Sequence, residues 1–499
     1  MHKLIQGRSL LPIALVIKLG MTFLLLFAKG FPKVPLGEIV CTGDCTMAYV
    51  PAAMNMLEHN QFTIYEDLTP YAGRMPGYEL VLMLSTLFSS KSEVSFPFVI
   101  VFQALVAGVS LFFLTRLAYR VFQNKVVAAV TFVGYAISTY TSLYDIAVLT
   151  ESLAVSVFII AFSLLLHPKS AGSYARQFLI GLLLLFAFVL RQYMLPFFLL
   201  WLVYIVYSKG RAEYPRTKRF LSALAFVLPL LCFEVWWVSR NFQQKQAFIP
   251  FVDSLYAGYD YPEAKGEDFY FPPEMKALAD FVKSWGGDLI WWNPKAEITA
   301  FVSAPPKSKA QQSEMLAAFP SYIYTSAYNR DSLQAIQRFF QGSGEMSQSE
   351  AIAALERYTE QFKLEKPLHH HVVAPLKLLK NFVVHSGTYN LYNAPFNELT
   401  LGGKAVKMAY SGLYWVVLVC GTLGGLRMLV KRRSDLSVWL LVATAFYIVV
   451  LVSVVIRRIE YRHFVISYPF FVVMASYFLV ELRNATGRLK GINLAVIKD

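Results

Sequence analysis

The 499-residue chain is 56% hydrophobic, 15% aromatic and 16% charged, with a formal net charge of +14. A soluble protein carries nearer a quarter charged residues, so the composition excludes an ordinary globular domain and points to a polytopic membrane protein. The basic residues stand in short clusters between apolar runs, which is a pattern of membrane topology rather than of nucleic-acid binding.

In chain order, the first apolar stretch, Leu10–Ala28, lacks a small-residue cleavage site and reads as an uncleaved helix. Further runs suited to spanning follow at Val94–Leu114, Val126–Leu143, Ala147–Leu166, Phe178–Leu190, Met194–Tyr207, Phe220–Val238, Met408–Leu426, Leu436–Ile456 and Phe464–Leu482. The two runs on either side of Arg191 are short and read as a hairpin with a shielded polar turn. Tyr78–Phe88 is too short to cross and reads as interfacial or re-entrant. With that run kept out of the bilayer, the clusters Arg116/Arg120/Lys125, Arg216/Lys218/Arg219 and Arg427/Lys431/Arg432 fall on the same side as Lys3 and Arg8. The expectation is therefore an all-α polytopic membrane protein of about ten transmembrane helices, both termini cytoplasmic.

Residues 1–240 then form an N-terminal membrane module with a first outer loop at 29–93. Residues 241–405 form a mainly α extracytoplasmic domain, and 406–499 form C-terminal helices with a basic cytoplasmic tail. Within 241–405, Ser347-Gln-Ser-Glu350 is a capping box ahead of a helical pattern, and Asp331–Phe340 reads as a second helix. Pro375–Val384 is a basic amphipathic run, and Tyr259–Pro273 reads as loop.

This topology gathers charges at the outer boundary. Asp44 and Arg74 come from the first loop, and Asp145 and Glu151 bracket the start of the fourth span. Arg191 lies between the fifth and sixth spans, Arg240 follows the seventh, and Arg457, Arg458 and Arg462 precede the last. Ionisable groups at membrane depth are costly, so they are functional or paired. An acid can take a proton from an attacking hydroxyl, and arginine forks can hold a phosphate leaving group. The plainer readings are arginines snorkelling to headgroups, Asp44 capping the Tyr49–Leu57 helix, and Asp145 capping the next span. Cys232 and Cys420, in apolar segments, read as buried thiols. Cys41 and Cys45 form a disulfide or stay as two thiols.

The order of G-D-C-T-M-A-Y (43–49), R-M-P-G-Y (74–78), L-T-E-S-L (149–153), L-R-Q (190–192), W-W-V-S-R-N-F (236–242) and Y-R-H-F-V-I-S-Y-P (461–469) resembles the GT-C superfamily of membrane glycosyltransferases. The likeness is to its bacterial branch, similar to protein O-mannosyltransferases and to the lipid A aminoarabinose transferase. The resemblance implies transfer of a sugar from a polyprenyl-phosphate donor to a lipid, glycan or protein hydroxyl, with inversion, at the periplasmic face of the inner membrane. It implies Asp44 as catalytic base and Glu151 as the second acid, with Arg74, Arg191, Arg457, Arg458 and Arg462 around the donor phosphate. No metal ligand is assigned, although some members hold a divalent ion. A lipid-linked glycan flippase and a ligase or polymerase using a pyrophosphate-linked donor are the alternatives. No internal repeat supports a transporter built on two halves.

Overall fold

The computed structural model describes residues 9–89, 93–168, 173–207, 214–251, 273–289, 298, 301, 319, 321–392, 394–457 and 461–496. In chain order the helices are α1 (Leu10–Ala28), α2 (Val50–His59), α3 (Gly77–Thr86), α4 (Phe96–Phe122), α5 (Lys125–Ala136), α6 (Thr139–Asp145), α7 (Thr150–Leu165), α8 (Tyr174–Leu190), α9 (Pro196–Tyr207) and α10 (Arg216–Lys245). They continue with α11 (Pro273–Ser284), α12 (Arg330–Phe340), α13 (Gln348–Glu365), α14 (Ala374–Val384), α15 (Leu401–Lys431), α16 (Leu436–Val450) and α17 (Tyr468–Val496). Among the described residues no β-strand occurs; an isolated bridge joins Thr325 and Tyr328. The protein is an all-α polytopic membrane protein.

Among the described residues, five helices are long and apolar enough to cross a membrane: α1, α4, α10, α15 and the 21-residue run Leu436–Ile456. Lys125–Ala136 and Thr139–Asp145, bent by 52°, make a sixth if taken as one span. The expected count of ten is not reached on length alone. Thr150–Leu165, Tyr174–Leu190 and Gln192–Tyr207 are apolar but short, and a helix of sixteen residues covers only about 24 Å of a hydrocarbon core about 30 Å thick.

The contacts divide the chain into two units. The first comprises residues 1–252, 386–446 and 465–499, and the second 253–385 and 447–464. In the first unit, small residues let helix backbones approach closely. A Cβ at Gly181 of α8 would collide with the Phe226 carbonyl of α10, and one at Gly424 of α15 with the Met474 carbonyl of α17.

The first unit also contains a buried ion pair that composition alone does not reveal. Lys18, on α1, is fully buried. Its ammonium lies 3.0 Å from Asp145 Oδ2 and donates to Ser142 Oγ at 2.9 Å. Ser152 Oγ donates to the other Asp145 oxygen at 2.7 Å. Asp145 is therefore not the cap of the following helix, whose N-cap is Leu149. It is the counter-charge that lets a lysine sit inside an apolar bundle. The free thiols also differ from expectation: Cys232 is exposed and Cys420 half-buried, since an apolar helix facing lipid need not bury its side chains in protein.

In the second unit, α12 opens with a capping box between Asn329 and Ser332, and α13 with the expected one between Ser347 and Glu350. Their apolar faces meet α11 in a core of Leu278, Phe281, Trp285, Leu333, Leu355 and Phe362. The amphipathic run at Pro375–Val384 is helical, as α14. The loop reading at Tyr259–Pro273 lies outside the described residues up to Pro273, which opens α11.

The Lys18 pair makes a direct prediction. Lys18→Met strands a buried carboxylate and should cost about 3–5 kcal/mol in denaturant unfolding of the detergent-solubilised protein. Combining it with Asp145→Leu should recover most of that loss. A double variant as unstable as the single one would contradict the pairing.

Candidate active site

The site is built on the loop between α1 and α3. Cys41 and Cys45 are disulfide-bonded, with Cα atoms 5.1 Å apart, closing a four-residue step. A π-helical turn, Cys45–Tyr49, follows and runs straight into α2. Such a turn shifts side-chain register relative to an α-helix and often marks a functional position. Asp44 stands at its N-terminus but makes no side-chain cap. Its carboxylate instead lies 3.1 Å from Arg74 Nη2, and both side chains are mostly sheltered.

Arg74 sits over the Tyr49 ring at 5.1 Å, and Tyr49 packs edge-on against Tyr78 at 5.2 Å. The Tyr78 hydroxyl donates to Gln103 Oε1 at 2.8 Å. Gln103 Nε2 in turn donates to the Ala147 carbonyl at 2.9 Å. The Val148 amide donates to the Val40 carbonyl at 2.8 Å. The first loop is thereby tied to the segment that leads into α7, whose first turn carries Glu151.

Glu151 is fully buried and forms an ion pair with Arg191. Arg191 occupies the extended break that ends α8, ahead of a 3-10 turn at Gln192–Met194. Gln192 Nε2 donates to the Gly73 carbonyl at 3.4 Å, which links this break to the residue before Arg74. One apolar cluster contains Cys41, Cys45, Tyr49, Tyr78, Leu153 and Leu190, so both ion pairs flank a shared core. Tyr49 registers all four charges. Burial raises the pKa of its hydroxyl, Arg74 and Arg191 lower it, and Asp44 and Glu151 raise it again. Arg240 clamps the same loop from α10, donating to the Tyr71 and Phe62 carbonyls at 2.6 and 2.8 Å.

The structure thus brings Asp44, Arg74, Glu151 and Arg191 around Tyr49. Arg457 belongs to the second unit, where its guanidinium is held by His370. Arg462 lies on a 3-10 turn, Tyr461–Ile466, and Arg458 falls outside the described residues.

Among the described residues no group of three or more His, Cys, Asp or Glu side chains forms a metal site. Of the three successive histidines, His369 stacks on Tyr322, whereas the His370 and His371 rings meet edge-on at 4.7 Å and His370 turns to the Ser284 carbonyl at 2.8 Å.

One acid was missed in the sequence. Glu79 follows Tyr78 on α3 and is buried. Its Oε2 has no hydrogen-bond partner, and burial pushes its carboxyl up to about 7 despite the nearby Arg74. The available signal was an acid in the first turn of an apolar helix too short to span.

No protein-family model matches the sequence, and no curated protein matches it. Solved structures similar to this chain include the Archaeoglobus fulgidus oligosaccharyltransferase in its apo form. That match has 12% identity and a TM-score of 0.48 over 98% of this chain and 52% of that one. The chain therefore spans about half the length of that oligosaccharyltransferase. Others are ArnT from Cupriavidus metallidurans in the apo state (13% identity, TM-score 0.36, 93% of this chain and 76% of that one) and bound to undecaprenyl phosphate (13%, 0.36, 95% and 78%). At TM-scores below 0.5 this likeness does not bear on the chemistry of the site.

The Glu79 environment carries a pH prediction. Its folded pKa is raised above the ordinary carboxyl value, so stability is full below about pH 4.5 and is lost as pH rises through about 7. Glu79→Gln should therefore stabilise the protein at pH 8 by up to about 3 kcal/mol and change nothing at pH 4.5. A benefit independent of pH would show that Glu79 is charged throughout.

Proposed function

We propose that the chain is a membrane glycosyltransferase. It moves a sugar from a polyprenyl-phosphate donor to a lipid, glycan or protein hydroxyl at the outer face of the plasma membrane. The observation that carries this reading is the pair of carboxylate–guanidinium contacts around Tyr49. Asp44 meets Arg74, Glu151 meets Arg191, and Arg74 Nη1 is buried with no hydrogen-bond partner. A buried guanidinium N–H without an acceptor favours an anionic oxygen placed beside it.

The chemistry follows from competition. A guanidinium that holds a carboxylate makes that carboxylate a weak base. When a lipid-linked phosphate engages Arg74, the arginine shares its positive charge with the phosphate and Asp44 gains basicity. The acceptor hydroxyl gives its proton to Asp44 as its oxygen bonds the anomeric carbon. The bond from that carbon to the phosphate oxygen breaks, and the electron pair leaves on the polyprenyl phosphate, stabilised by Arg74 and Arg191. A single displacement inverts the anomeric centre. Glu151, buried beneath Arg191, holds that guanidinium toward the same phosphate. Arg457, engaged by His370 in the second unit, is left out.

The test is a transfer assay in nanodiscs with a panel of radiolabelled polyprenyl-phosphate sugars and hydroxyl acceptors. The wild type should transfer at least one sugar. Asp44→Asn should lower turnover about 10²–10⁴-fold with expression and insertion intact. Near-wild-type turnover in that variant would remove Asp44 from the base role. Movement of the intact lipid-linked sugar across the bilayer without transfer would replace the reading with a transporter.

A further inference from the structure

The second unit contains a cleft of about 910 Å³ that the reading above does not use. Two helices wall it. From α11 come Lys276, Asp280 and Lys283, and from α13 come Glu356, Glu360 and Lys363. These positions recur at three- and four-residue intervals, so each helix turns one charged face to the cleft. The opposite faces, with Leu278, Phe281, Leu355 and Phe362, are locked into the core, which fixes the walls.

On α11 the charges alternate, Lys276, Asp280, Lys283, whereas on α13 two acids, Glu356 and Glu360, precede Lys363. Lys283 pairs with Asp280 and Lys363 with Glu360, and all four side chains are substantially exposed. Such pairs contribute little, so ligand hydroxyls can replace them at small cost. Ammonium donors and carboxylate acceptors side by side suit a ligand that presents many hydroxyls, each a donor and an acceptor.

Lining the same cleft are His370 and Arg457. The ring of His370 meets the Ser284 carbonyl at 2.8 Å through Nδ1, and Arg457 Nη1 lies beside the ring, 3.1 Å from Nδ1 and 3.0 Å from Nε2. Arg457 Nη2 donates to the His370 carbonyl at 2.9 Å. Nδ1–H donates to the Ser284 carbonyl, and the guanidinium stays beside the ring, anchored through Nη2. Burial, with Arg457 beside it, lowers the pKa of His370 and keeps it neutral. The Arg457 charge is therefore fixed in place, and among the described residues no carboxylate pairs with it. Its backbone is left-handed, with φ of 55°, directly after a π-helical turn at Leu451–Ile456. Strain of this kind in a non-glycine residue concentrates at functional positions.

We infer that the cleft between α11 and α13 binds a saccharide carrying an acidic group, with the anion at Arg457 and the hydroxyls along the two charged walls. Calling that saccharide the glycosyl acceptor rests on the proposed function; the binding itself does not.

The experiment uses the full chain in nanodiscs without donor, and reads binding of tetragalacturonate, maltotetraose, a glucosamine tetramer and inorganic phosphate by calorimetry. Tetragalacturonate should bind saturably, at least tenfold tighter than the other three. Arg457→Gln should weaken it at least tenfold. Lys276→Glu with Lys283→Glu, at half-exposed positions that tolerate change, should do the same, which guards against a folding defect in the first variant. Equal affinity for the neutral tetramer, tight binding of phosphate alone, no binding at all, or binding untouched by the lysine changes would overturn the inference. Tetragalacturonate binding with no sugar transfer under any condition would leave the cleft in place and remove only its assignment to an acceptor.

Discussion

A charge inside an apolar bundle must meet its opposite, and this constraint organises the first unit. Among the described residues, three ion pairs are sheltered there: Lys18 with Asp145, Asp44 with Arg74, and Glu151 with Arg191. The first differs from the other two. Its lysine also reaches Ser142 and both Asp145 oxygens are engaged within the bundle. The other two join residues from different loops and breaks around one tyrosine, and Arg74 keeps an unsatisfied N–H. Pairs of that kind hold a site together while leaving it able to exchange partners.

The scaffold explains why such separate residues meet. Gln103 bridges Tyr78 to the backbone before α7, Val148 bonds to Val40, and Gln192 reaches Gly73. Each bond ties the first loop to a break between helices, where backbone groups are not consumed by the helix itself.

Much of this was legible in the chain, for identifiable reasons. The capping box at Ser347 and Glu350 and the helix read at Asp331–Phe340 follow from local rules, and both appear where local rules put them. Asp44, Arg74, Glu151 and Arg191 stood out because polar groups beside apolar runs are conspicuous. What stayed hidden depends on distance or register. Lys18 looked like one residue in an apolar stretch, and its partner lies 127 positions away. His370 and Arg457 are 87 apart. The π-helical turns at Cys45–Tyr49 and His369–Val373 add no composition signal, because they shift the helical register without changing residue type. Cys232 was misplaced because burial rules for water do not hold for a helix facing lipid.

In the proposed function, carboxylates hold these guanidiniums until a lipid phosphate takes their place. Binding of polyprenyl phosphate, without sugar, to the protein in nanodiscs tests it most directly when read by native mass spectrometry. Removing the competitor should release the arginine, so Asp44→Asn should bind the lipid more tightly than wild type and Arg74→Gln more weakly. Opposite shifts in the two variants would support the account; equal weakening in both, or no change in either, would contradict it.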